Sequence, residues 1–167
     1  MGQTQIKTFK DLFIHELKDL YSAESQLIKA LPKMAETASS DKLKNAYNSH
    51  LDETKMHKER LEKISKSLGI TLKGETCEAM KGLIEEGEEI INADAPANIK
   101  DAALIAAAQR VEHYEIAGYG TAVYYADMLD ESEASDLLSK TLDEEKSADA
   151  KLNRIAIKSV NVKAEAV

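Results

Sequence analysis

The sequence has one cysteine, two prolines and seven glycines among 167 residues. A lone Cys77 excludes an intrachain disulfide and points to a reducing compartment. So few helix breakers, set among abundant Ala, Leu, Lys and Glu, leave little to interrupt helices. No stretch alternates apolar and polar residues as a half-buried strand does, so an all-α fold is expected. Nothing approaches eighteen consecutive apolar residues, which argues against a membrane-spanning helix. The stretch from Met1 to Thr8 holds no apolar segment of signal-peptide length. Basic charge is also scarce. A formal net charge of −8 disfavours nucleic acid and anionic membrane surfaces as partners, since both need cationic patches. One soluble cytoplasmic domain over residues 1–167 is the expectation, and the length suffices for a full core.

Helical periodicity then organises the chain. Thr8 is placed to cap a first helix, with Asp11 in its first turn. Its inward line reads Phe13, Leu17, Leu20, Glu24, Leu27, Leu31, Met34, and Pro32 predicts a kink or an early end. Residues 37–40 form a short break in which Ser40 caps the second helix. There the line is Leu43, Tyr47, His50, Thr54, His57, Leu61, Ile64, Leu68, closed by Gly69. The segment from Gly69 to Lys100 is a long connection with its own helical stretch over residues 75–91. At about 1.5 Å per residue it can run the length of a bundle, so the second and third principal helices can be parallel. The third, from about Asn98 to Leu129, carries Ile105, Ala108, Glu112, Glu115, Tyr119, Ala122, Ala126. After a tight turn over residues 130–132, the fourth carries Leu138, Leu142, Glu145, Asp149, Leu152, Ala156. The tail from Asn161 is expected to fray.

Each principal helix carries one or two acids near its middle, on its inward line or, for Glu53, beside it. Burying one uncompensated carboxylate costs several kcal/mol, so acids on all four helices at one depth need a cation between them. Glu24, Glu53, Glu112, Glu115 and Glu145 are the carboxylates concerned, and two divalent metals bridged by carboxylates would satisfy them. The halves echo each other: 29 residues separate Glu24 from Glu53 and 30 separate Glu115 from Glu145. His57 follows Glu53 by four residues and Asp149 follows Glu145 by four, which keeps each pair on one helix face. His57 and Asp149 therefore complete the candidate ligand set. His50 reads as a donor orienting a glutamate, and His113 as a flanking residue. Tyr119 reads as core, or as a hydrogen-bond partner of a ligand. Glu144 is expected in solvent beside Lys140 or Lys151, and Cys77 is expected to be inert.

Glu112-x-x-Glu115 with Glu24, Glu53 and Glu145 resembles the ferritin-like di-iron carboxylate proteins, of the rubrerythrin type. Phe13-Ile-His-Glu-Leu, Tyr21-Ser-Ala-Glu24, His50-Leu-Asp-Glu53-Thr, the run Ala102 to Ala117 and Thr141-Leu-Asp-Glu-Glu145-Lys resemble the YciF/YciE stress-protein family over nearly the whole chain. That resemblance implies a ferritin-like up-down-down-up four-helix bundle, with an additional helix in the long crossover between helices two and three. It also implies a homodimer associated with bacterial stress responses. The usual ferritin-like Glu-x-x-His is absent, since Met56 and Ala148 stand three residues after Glu53 and Glu145. His57 and Asp149 in their place make an oxygen-richer site, which admits manganese beside iron without deciding between them. The expected function is a centre of two iron (or manganese) ions reacting with peroxide or dioxygen, with an unidentified electron donor. Non-catalytic metal sequestration and a metal-free structural or partner-binding role are the alternatives.

Overall fold

The computed structural model describes residues 6–167; Met1 to Gln5, part of the stretch read as free of a leader, lie outside the described residues. The helices are α1 (Phe9–Thr37), α2 (Asp41–Leu68), α3 (Glu78–Asn92), α4 (Ala97–Met128) and α5 (Ser132–Ile155). A π-helical turn, Ala156–Val160, then leads into α6 (Asn161–Glu165). No strand occurs among the described residues, and none of their helices is long and apolar enough to cross a membrane.

Local chemistry sets most of the ends. The Thr8 hydroxyl accepts from the Asp11 amide while the Asp11 carboxylate accepts from the Thr8 amide, a reciprocal capping box. Gly69 closes α2 at φ 64°, a left-handed conformation that costs glycine little. Between α4 and α5, Asp130 takes φ 57°, which a short polar side chain tolerates better than most. Pro32 does not end α1, which continues through it to Thr37. A proline inside a helix costs about 3 kcal/mol. Burial of the two large side chains around it, Leu31 and Met34, returns about 1.5–3 kcal/mol each, so packing wins.

Three boundaries differ from expectation. Ser40 occupies the N-cap of α2 but its side chain caps nothing. The Ser39 amide and hydroxyl and the Ser40 amide all donate to the buried carboxylate of Asp101 on α4, at 2.6–2.8 Å, so a tertiary contact holds the turn. Helix α3 starts at Glu78, because Cys77 caps it by accepting from the Met80 amide. The segment after Asn161 is helical rather than frayed, anchored by the buried Ala156 and Val160 just before it.

Helix α1 packs on α2 and α4, and α5 packs on α2 and α4, so the four long helices form a ring in the order α1, α2, α5, α4. One apolar cluster joins the start of α1 (Phe13, Leu17, Leu20) to the end of α2 (Leu61, Ile64), the end of α4 (Ala122, Ala126) and the start of α5 (Leu138). The second joins Leu27 and Leu31 to Leu43 and Tyr47, Leu104 and Ile105, and Leu152. Helices α1 and α5 therefore run one way and α2 and α4 the other, which is up-down-down-up. Helix α3 lies across α1 and α4, as the crossover requires. Between the two apolar clusters lies a layer of buried polar side chains from all four long helices.

Candidate metal centre

Glu24 comes from α1, His50 and His57 from α2, Glu112 and Glu115 from α4 and Glu145 from α5, and all six side chains are buried. Their positions follow from helical spacing. His50 and His57 are seven residues apart, two turns on one face, and Glu112 and Glu115 are three apart on another. Two groups result. In one, ligand atoms of His50, Glu112, Glu115 and Glu145 all lie within 4.8 Å of one another; in the other, those of Glu24, His57 and Glu145 do. Glu145 belongs to both.

The contacts inside the layer are short yet poorly aligned as hydrogen bonds. His57 Nδ1 lies 2.9 Å from Glu145 Oε1 and 3.4 Å from Glu24 Oε1. His50 Nε2 lies 3.3 Å from Glu112 Oε1 and 3.7 Å from Glu145 Oε2. Eight atoms on these six side chains nevertheless have no hydrogen-bond partner: Glu24 Oε2, His50 Nε2, His57 Nδ1, Glu112 Oε2 and both oxygens of Glu115 and Glu145. Each such orphan costs about 1–3 kcal/mol. Eight together rival the roughly 5–15 kcal/mol by which a domain is stable. Buried ligand atoms gathered within 4.8 Å of one another and lacking hydrogen-bond partners suit an ion with metal–oxygen distances near 2.1 Å. The residues present fit a metal.

Protonation states show the same frustration. Burial pushes the Glu24 carboxyl up, and drives Glu112 and Glu115 well above the usual range, with neighbouring carboxylates adding to the shift. For His57, burial opposes the charge, but Glu145 and Glu24 prevail and hold it at about 10. His50 is held at about 9, where Glu112 and Glu53 overcome the same penalty. Glu145, facing both imidazoles, is lowered despite its burial. Without a cation the layer thus stores protons that a metal would displace.

A further set of residues holds the imidazoles in place. His57 Nε2 meets Glu144 at 3.0 Å, and Glu144 is gripped by Arg60, whose guanidinium also donates to Thr141 at 2.9 Å. Glu144 is thus half-buried and paired with Arg60, not in solvent beside Lys140 or Lys151. Arg60 outranks a lysine because its planar fork meets both carboxylate oxygens. The Tyr119 hydroxyl donates to Glu24, the hydrogen-bonding alternative read for it.

Of the seven residues expected as ligands, five fall in the two groups: Glu24, His57, Glu112, Glu115 and Glu145. Glu53 and Asp149 do not. Glu53 is half-buried and meets His50 Nδ1 at 3.3 Å, so it orients the imidazole from behind while His50 Nε2 faces the acids. His50, read as a donor orienting a glutamate, thus stands among the grouped acids, and Glu53, read as a ligand, stands behind it. The signal was present in the sequence, because His50 lies on the inward line of α2 and Glu53 lies beside it. Asp149 is partly exposed, 3.2 Å from Gln109 Nε2 and 3.4 Å from the exposed His113. One turn beyond Glu145, it has rotated to the flank facing α4. Cys77 does not stand alone either, since its sulfur lies 3.0 Å from the Tyr114 hydroxyl, which donates to Asp19.

A helical bundle with carboxylates and imidazoles from all four helices converging at mid-depth defines the ferritin-like class. Within it, the sequence profile described as Domain of unknown function (DUF892) matches residues 8–165, and the chain belongs to that family. Protein YciF of Escherichia coli (strain K12) is 49% identical over 161 residues, covering 96% of this chain and 97% of YciF. The crystal structure of the E. coli stress protein YciF superposes with a TM-score of 0.90 at 48% identity, covering 93% of this chain and 99% of that one. YcfI of Rhodopseudomonas palustris superposes with a TM-score of 0.87 at 44% identity, covering 92% and 98%. These relatives bear out the resemblance read from the sequence.

Proposed function

We propose that the buried layer holds two divalent ions, iron or manganese, and that the protein uses them against peroxide or dioxygen under oxidative stress. The observation that carries this reading is the pair of ligand groups sharing Glu145, surrounded by orphaned donor atoms. Four buried carboxylates, Glu24, Glu112, Glu115 and Glu145, match the charge of two divalent ions while both imidazoles stay neutral. His50, Glu112 and Glu115 would hold one ion, Glu24 and His57 the other, and Glu145 would bridge them. Two imidazole nitrogens among carboxylate oxygens suit iron and manganese better than magnesium or calcium.

A bound pair of redox-active ions supplies two electrons, the number needed to take hydrogen peroxide to water. The chain's own residues set the conditions. Glu53 and the Arg60–Glu144 pair fix the two imidazoles from behind, which holds each tautomer and ring plane. Tyr119 donates to Glu24 and restrains its rotation while leaving the second oxygen uncommitted. The apolar clusters above and below exclude water along the bundle axis.

The proposal includes a homodimer in a reducing cytoplasm, supported by the family resemblance and the single cysteine; light scattering on purified protein tests the first part. The central test is anaerobic Fe(II) titration of metal-free protein, followed by peroxide or air with optical spectra. Saturation at two ions per chain and an oxo-bridged Fe(III) band support the reading. Binding without oxidation would leave sequestration, and no binding by folded protein would remove the centre altogether.

A further inference from the structure

The polar layer is sealed along the bundle axis but open at one side. Between α2 and α5 lies a cavity of about 260 Å³ that reaches His50 and Glu112. Its walls are mainly apolar, from Ala46, Tyr47, Ala148 and Leu152. Ala148 stands where the ferritin-like pattern has a ligand histidine, and its small side chain is what leaves the room. A water occupies about 30 Å³, and a methylene is of similar size. The cavity therefore exceeds what peroxide or dioxygen fills several times over.

At its mouth the cavity shares Ser147 and Lys151 with a shallow groove of about 630 Å³. Lys42 on α2, with Lys151 and Arg154 on α5 and Lys158 on the π-helical turn, line this groove, and no acid does. None of the four makes an ion pair among the described residues. In a chain of net charge −8, four unpaired cations around one groove form a local positive field. The cavity wall instead holds three acids, Glu53 and Glu112 beside His50 and Glu144 paired with Arg60. An incoming anionic head thus finds unpaired cations only at the rim. Its uncharged part is what fits inside.

We infer that this side opening is a binding site for an amphiphilic organic anion, with its carboxylate or phosphate head on Lys42, Lys151, Arg154 and Lys158 and its apolar chain directed inward towards His50. The inference rests on the proposed centre only for what lies at the end of the chain, and deepens that reading by giving the class of molecule that reaches it. A chain of roughly eight carbons fills the cavity at the volume per methylene used above.

Calorimetric titration of metal-free protein tests this without depending on the metal. Octanoate and octyl phosphate are compared with acetate and inorganic phosphate (heads without tails) and with octanol (a tail without a head). The expected result is binding of both amphiphiles at least tenfold tighter than of any control, with amide NMR shifts centred on Ala46, Ala148 and Lys151. The double variant K151E/R154E, confined to exposed positions, should lose at least tenfold in affinity for octanoate while binding octanol as before. A148L should reduce octanoate to the affinity of acetate, and L152A serves as a second cavity variant should A148L fold poorly. Equal binding of acetate and octanoate, undiminished binding by K151E/R154E, or no octanoate binding would each overturn the inference. Fe(II) titration of the same sample separates the two ideas. Two irons without amphiphile binding sinks this inference and spares the centre, whereas amphiphile binding without iron does the reverse.

Discussion

Glu145 is the residue on which the centre turns, because it alone belongs to both ligand groups. Glu145→Ala is expected to abolish binding at both positions, whereas Glu24→Ala should leave one ion bound; metal analysis after dialysis distinguishes them. Glu144→Ala should preserve two ions and weaken the one beside His57 about 10–100-fold, the usual effect of releasing a histidine from the carboxylate behind it. Protonation gives a second expectation. His57 is held at about 10 in the fold against 6.5 ordinarily, so its contribution is complete below pH 6.5 and disappears as pH rises through 10. Glu112 and Glu115, both raised, likewise weaken the fold as pH rises above 4.5. Glu145, lowered, acts oppositely, and its contribution disappears as pH falls below that value. Metal-free protein should therefore melt highest near pH 4.5 and progressively lower towards pH 10. A melting temperature that stays level or climbs from pH 6.5 to 10 would contradict this. At this scale the sequence was legible wherever a residue lay on an inward helical line. His50 and His57 lie on that line, and both face the acids. Glu53 entered the candidate set through a motif match, and its helical position beside the inward line sets it behind His50. Arg60 was invisible because its role depends on which residue of α5 faces it.

The helices were readable because a line of apolar residues every three or four positions fixes rotation and length together. Where single residues decided a boundary, tertiary contacts had the larger say. Asp101 holds the α1–α2 turn from another helix, and no local pattern announces that. Asp101→Ala should cost about 2–3 kcal/mol, since it leaves three donors of Ser39 and Ser40 unpaired, as chemical denaturation would read. Gly118 faces Leu20 of α1 with no room for a Cβ. A Cβ there would lie 2.8 Å from Leu20 Cδ2, and Leu20 is fully buried. Gly118→Ala is expected to destabilise by about 1–3 kcal/mol through overpacking, one residue from Tyr119 and three from Glu115. A variant as stable as the parent would show that Leu20 can rotate away freely. Pro32 gave the opposite lesson, as a helix breaker that buried neighbours overrule.

For the molecule as a whole, the polar layer divides the core into two apolar clusters, which without a cation are separated by eight orphaned atoms. The fold tolerates that frustration because the clusters bind the same four helices on either side of it. An ion that binds only the folded chain stabilises it by about 4 kcal/mol at a thousand times its Kd. Up-down-down-up topology was accessible from the length of the 69–100 connection, and the mid-depth acids indicated the layer. The sideways opening towards α5 was not accessible, because it arises from how small residues of two sequence-distant helices meet. The most direct test of the account is a calorimetric titration of metal-free protein with Fe(II) or Mn(II), run beside Glu145→Ala. Two ions per chain in the parent, none in the variant and a raised melting temperature only in the parent are predicted. A folded parent that takes up no metal, or a variant that still binds two, would contradict it.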